Sequence, residues 1–211
     1  MSKIAKTPLG REIILPNAAL TAAILAENDK IKPLTSIASI AIDIAREKRE
    51  ELINDILSYI DTDMICYRSD SNYELLNRQE TLLNPIVNWA EEKFATKIKL
   101  TRGIMPVAQS KEVHLVIRNI IENYNEWQLA AFVTLAKPFC SLILALCVME
   151  NKISAEKAFS LSQIEENFSS EKWGEDIERT KTINNLRLEV LAAERFLELY
   201  PSSMNIRKFV T

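Results

Sequence analysis

The residues of this chain best suited to chemistry are few and widely separated. Asp61-Thr62-Asp63 places two carboxylates one residue apart, a spacing that can grip a divalent ion beside a phosphate, as a small metal-dependent enzyme would. In a plainer and favoured reading, Asp61 or Thr62 caps a turn leading into Met64 to Tyr67. Glu165 and Glu166 are the second candidates, because helical spacing brings Glu165 into line with Ala158, Leu161 and Phe168. An acid on such a stripe is either a partly solvated charge at the edge of the core, paired with a nearby Arg, or it waits beside an apolar surface for a donor on a partner, where partial desolvation strengthens the bond. The sole histidine, His114, cannot alone form a triad or a multi-histidine metal site and reads as a helix-face residue. Cys140 and Cys147 belong to no CxxC pair and, with Cys66, read as buried structural thiols. No GxGxxG or GxxxxGK(S/T) string occurs, which removes the common phosphate-cradling loops. No cofactor and no metal are implied.

These side chains must be positioned by helices. The chain has 211 residues with only 3 Gly and 7 Pro, too little material for the tight turns of a many-stranded sheet. Hydrophobic residues at 47% and charged residues at 26% are ordinary globular usage and provide for a real core. A formal net charge of -3 offers no positive field for a nucleic acid or an anionic membrane. The odd cysteine count in apolar surroundings points to a reducing compartment. Met1 to Pro16 lacks the continuous apolar core of a secretory signal and is short for a transit peptide, so a bacterial cytoplasm is expected.

Arg11 to Leu15, between Gly10 and Pro16, is the one run with strand character. Asn17 then caps a helix through Leu20, Ala23 and Ile24 to about Asn28. Ile37, Ile40, Ala41 and Ile44 open a second pattern after Pro33, and Leu52, Ile53, Ile56, Leu57 and Ile60 continue it as one long helix or two. The sign-alternating stretch Arg46 to Glu51 between them is a solvated helix face. A third helix starts at Asn72 and is kinked at Pro85. Lys97 to Gln109 is the longest irregular connection, after which Ser110 caps a helix with the stripe Val113, Val116, Ile117, Ile120, Ile121 and Tyr124.

Trp127 to Met149 is apolar on nearly every side, as in a helix surrounded by others or a membrane span. Lys137 and Pro138 interrupt it, and a central Lys is costly in hydrocarbon, so the buried helix is favoured. Ser154 opens a helix through Phe168, and the last runs from about Glu175 to Tyr200, with a frayed tail beyond Pro201. Trp89, Trp127 and Trp173 read as core or interface anchors. No internal repeat is visible.

Six strings in order, spanning roughly residues 7 to 199, resemble the mitochondrial ATP synthase assembly factor two family of mitochondria and alphaproteobacteria. They are Pro33-Leu34-Thr35 with Ala41-Ile42-Asp43; Tyr59 to Arg68; Arg78-Gln79 with Asn84-Pro85 and Trp89-Ala90; Gly103 to Gln109; Ser141 to Leu146; and Ile164-Glu165-Glu166 with Glu171 to Asp176. The chain departs from the family at Asn28, at Leu83-Asn84, at Cys140, where the family has Gly, and at Ser169. The resemblance implies a chaperone that binds the free alpha subunit of the ATP synthase catalytic head and covers its beta-facing surface. It also implies that Glu165 is the functionally important acid, with Trp173 and Asp176 in the same signature, and that at most Lys6 to Pro16 stand for a small β-rich N-terminal domain, either lost or cut off by a misplaced start.

The expectation is therefore an all-α, compact helical domain of about seven helices with a vestigial β segment at the N-terminus: residues 1–16 a remnant, 17–200 the helical body, 201–211 the tail. Glu165, Glu166, Trp173 and Asp176 are expected to bind the alpha subunit. A non-enzymatic monomer is expected, in a bacterial cytoplasm or alternatively a mitochondrial matrix, with no nucleic acid and no membrane insertion.

Overall fold

A computed structural model of the chain describes residues 6–27, 31–174 and 177–200. Asn28, Asp176 and the tail 201–211, each singled out from the sequence, lie outside the described residues. The fold is all-α, as the composition requires, with ten α-helices among the described residues rather than about seven. They are α1 (Ala18–Leu25), α2 (Pro33–Ile40), α3 (Arg49–Leu57), α4 (Tyr73–Phe94), α5 (Lys111–Glu122), α6 (Glu126–Phe139), α7 (Leu142–Met149), α8 (Ala155–Ser162), α9 (Ile164–Trp173) and α10 (Ile177–Leu199). A short π-helix, Ala41–Ala45, continues α2. Two strands, β1 (Tyr67–Arg68) and β2 (Thr101–Arg102), pair in parallel.

The additional helices arise where one hydrophobic pattern crosses a break in the backbone. Trp127 to Met149 is divided at Cys140, whose φ of 49° closes α6 in the left-handed conformation, and Ser141 then caps α7 by accepting from the Leu144 N–H. Both halves are buried, α6 packing against α2, α7, α8 and α10. Among the described residues no helix is long and apolar enough to cross a membrane. The expected helix from Ser154 to Phe168 is divided at Gln163, and the charged stretch after Ala45 divides the π-helix from α3.

Local capping chemistry holds the pieces as the sequence suggests. The side chains of Asn17, Ser110 and Ser154 accept from the N–H groups of Leu20, Val113 and Lys157. Pro85 lies inside α4, which runs through it as one helix. Among the described residues, strand character near the N-terminus reduces to a single bridge, Lys6 to Glu12. This segment is tied to the π-helix by Asp43, which accepts from the Thr7 hydroxyl at 2.7 Å and the Leu9 N–H at 3.2 Å.

Candidate functional site

The chemistry of greatest interest lies where α4 meets α9. Gln79 lies on the buried face of α4 with Leu83, Ile86 and Val87 and is only 1% exposed. Its Oε1 accepts from the Ser69 backbone N–H at 2.6 Å. Because that N–H can only donate, the amide orientation is determined, and Nε2 points outward to donate to Glu165 Oε1 at 2.8 Å. Glu165 stands exposed in the first turn of α9, with no cation within ion-pair distance among the described residues. The break at Gln163 corrects the sequence expectation for this acid: the stripe of Ala158, Leu161 and Phe168 continues through buried Ile164, and Glu165 turns off it.

The neighbouring cations are each matched to a different acid. Arg78 makes a two-pronged pair with Glu171, both bonds 2.9 Å, while Lys172 reaches Glu74 at 2.8 Å and Arg179 pairs with Glu166. Arg78 and Lys172 also lie over the buried ring of Phe168, at 5.9 and 5.3 Å from its centre. The hydrogen bond with Arg78 holds the Glu171 carboxyl below the usual carboxylate range. A cleft of about 390 Å³ follows the same seam, lined by Arg78, Leu82, Ile164, Asn167 and Glu171 among others.

Large apolar side chains are exposed at the ends of these helices and on the loop after β2. Trp173 is 88% exposed at the end of α9, which excludes the core reading for it, whereas Trp127 is buried and stacks on Phe196. Tyr73 is 82% exposed beside Glu74, the partner of Lys172. The loop after β2 presents Ile104, 91% exposed, and Met105. It leaves the sheet at Gly103, whose φ is 78° and whose N–H donates to the Arg68 carbonyl at 2.9 Å. That positive φ favours glycine, and a Cβ there would also lie 2.7 Å from Asp70 Oδ2, which would have to move aside. Arg68 is itself buried, bonding to the Ile65 and Tyr67 carbonyls and to Asn84 Oδ1. Strings far apart in sequence thus converge through the chain Arg68, Ser69, Gln79 and Glu165.

The remaining candidates are engaged elsewhere. Asp61 Oδ1 accepts from the Gln109 N–H at 2.8 Å and meets His114 Nε2 at 2.9 Å, so His114 ties α5 to the segment before β1. Its carboxyl is lowered by those partners against a desolvation that alone would raise it. The turn into Met64 is capped by Asp63, not by Asp61 or Thr62 as expected: Asp63 accepts from the Ile65 N–H and, across the core, from the Ile143 N–H. The two aspartates therefore serve different elements. Cys66 and Cys147 are buried as expected, and burial pushes the Cys147 thiol up to about 12. Cys140 is exposed, a correction that follows from its place at the end of α6. Sequence reasoning gave Gln79 no role, although a polar residue on the apolar stripe with Leu75, Leu76 and Leu83 signals a buried polar group that needs partners.

The family model described as ATP12 chaperone protein matches residues 2–91. A curated relative, protein atp12, mitochondrial, of Schizosaccharomyces pombe, is 32% identical over 162 residues, covering 72% of this chain; the chain spans 55% of that relative's length. The crystal structure of Atp12 from Paracoccus denitrificans superposes with a TM-score of 0.85 at 29% identity, over 93% of this chain and 88% of that one. An aspartate-to-lysine mutant of P. denitrificans Atp12p gives 0.84 at 30% identity, over 92% and 87%. The class so defined is a mostly helical protein built on a chaperone fold. The chain belongs to the ATP12 chaperone family, the family its six sequence strings resemble.

Proposed function

We propose that this protein binds the free alpha subunit of the F-type ATP synthase catalytic head and shields its beta-facing surface until assembly. The observation that carries the reading is Glu165: an exposed acid held in a fixed direction by a buried amide, without a cation of its own among the described residues, on the helix that ends in exposed Trp173 and bonded to the helix that begins with exposed Tyr73. A carboxylate so placed recognises a basic or hydrogen-bond-donating group on an otherwise apolar protein surface, and exclusion of water at the contact strengthens the bond. Glu166, Trp173 and Asp176 belong to the same surface on this reading. Release is by competition, the beta subunit making the larger interface in the finished head. The protein acts as a monomer, without catalysis or cofactor, in the bacterial cytoplasm or the mitochondrial matrix.

Co-purification with isolated alpha subunit tests this. The wild-type chain is expected to retain the subunit, and Glu165→Lys to lose it while helicity and melting temperature persist. Undiminished retention by Glu165→Lys removes Glu165 from the site, and failure of the wild type to bind overturns the reading.

A further inference from the structure

We infer that Gln79 is the positioning residue of the partner-binding surface, a clamp that fixes Glu165 in register with the β1 and Gly103 loop region; the inference rests on the proposed role of Glu165. An exposed glutamate on a helix ordinarily samples several rotamers, and binding must then restrict it. Here one carboxylate oxygen is already held by Gln79 Nε2 at 2.8 Å, and the clamp is itself immobile. Gln79 is 1% exposed, its other amide atom is held by the Ser69 N–H at 2.6 Å, and Ser69 directly follows β1. The same end of β1 receives the Gly103 N–H through the Arg68 carbonyl. The Gln79 amide thus links the end of β1, to which the Gly103 loop is bonded, to the acid through two short bonds, leaving the second Glu165 oxygen for the partner.

A purely structural glutamine would serve equally well whether or not position 165 carried an acid. The clamp acts only through that acid, so its effect must disappear with the carboxylate.

A double-mutant cycle on alpha-subunit binding reads this directly, using the full chain and its Gln79→Met, Glu165→Ala and doubly substituted variants. Gln79→Met is expected to weaken binding roughly 3- to 10-fold in the wild-type background, from the side-chain freedom restored, and by less than about 2-fold when Glu165→Ala is present. Equal weakening in both backgrounds, or none in the wild type while Glu165→Ala weakens binding, overturns the clamp and leaves the reading of Glu165 standing. Binding that ignores Glu165→Ala overturns both. Should Gln79→Met fail to fold, shown by loss of its helical melting transition, Gln79→Asn carries the same cycle. It keeps a polar amide on the buried face of α4 but, one methylene shorter, cannot bridge the Ser69 N–H and Glu165 at once.

Discussion

Asp63 and Glu165 are both acids fixed by donors from distant parts of the chain, and they do opposite things. Asp63 is 1% exposed. It accepts from Ile65 and Ile143 and is further bonded to Ser141, so that it caps the turn after Thr62 and faces the N-terminus of α7. Every direction in which it could bond is filled from inside. Glu165 receives one bond from inside, from Gln79, and is otherwise turned to solvent. Residue type does not separate the two. The number of internal donors does: several make an acid a fastener of the core, whereas one makes it an oriented group still able to bind.

Removing the fastener should have the larger effect on the fold. Asp63→Ala leaves buried N–H groups of two separate elements unpaired, and is expected to destabilise by roughly 3 kcal/mol in urea denaturation. A loss below about 1 kcal/mol, typical of an average substitution, would erase the distinction. The second effect is in pH dependence. Burial pushes the Asp63 carboxyl up to about 6, outweighing the donors that favour its charge. Its folded value thus exceeds the unfolded one, so the folded state takes up the proton first as pH falls. The contribution is fully present below about pH 4 and is lost as pH rises through about 6. Melting followed between pH 4 and 7 should show a difference between wild type and Asp63→Asn that changes across that window by on the order of 2 kcal/mol. Parallel curves would place the proton elsewhere.

How much of this was legible in the sequence divides along the same line. The caps at Asn17, Ser110 and Ser154 and the buried stripe of α5 follow from neighbours three or four residues away, and each appears where expected. The partners of Asp63, Gln79 and Glu165 lie 80 and 86 residues distant, so spacing alone offered a turn cap at Asp61 or Thr62, or a metal pair with Asp63, for the first and an apolar stripe for the last. The sequence groups Trp173 with Glu165 in one signature, but only the fold shows that its indole faces outward. The break at Cys140 was hidden for a different reason, since the left-handed residue that ends a helix is usually Gly or Asn, and here it is neither.

That last residue supplies a smaller test within the Asp63 region. Cys140 holds φ 49° and ψ 33°, and its carbonyl accepts from the Met64 N–H at 3.0 Å, next to Asp63. Glycine adopts this conformation without Cβ strain, although it also gives the unfolded chain more freedom. Cys140→Gly is expected to stabilise by about 0.5–1 kcal/mol, net of the two, measured by the midpoint of thermal melting. Destabilisation would show that the thiol contributes packing which outweighs the relieved backbone.

The smallest expected change in stability belongs to Glu165→Lys, and it is the sharpest test of the contrast. The substitution reverses an exposed charge and withdraws the acceptor from Gln79 Nε2. Water can reach that donor from the outer side, where Glu165 is exposed, whereas no such route serves Ile143 beneath Asp63. Lysine at position 165 also follows Ile164 in the first turn of α9, where a cation opposes the helix dipole, a penalty of a few tenths of a kcal/mol, on the order of 0.3. The sum is expected near 0.5 kcal/mol, the range of surface substitutions, measured by urea denaturation in parallel with Asp63→Ala. If the two variants lose comparable stability, Glu165 is a fastener like Asp63, and any loss of alpha-subunit binding in Glu165→Lys would follow from a weakened fold rather than a missing contact.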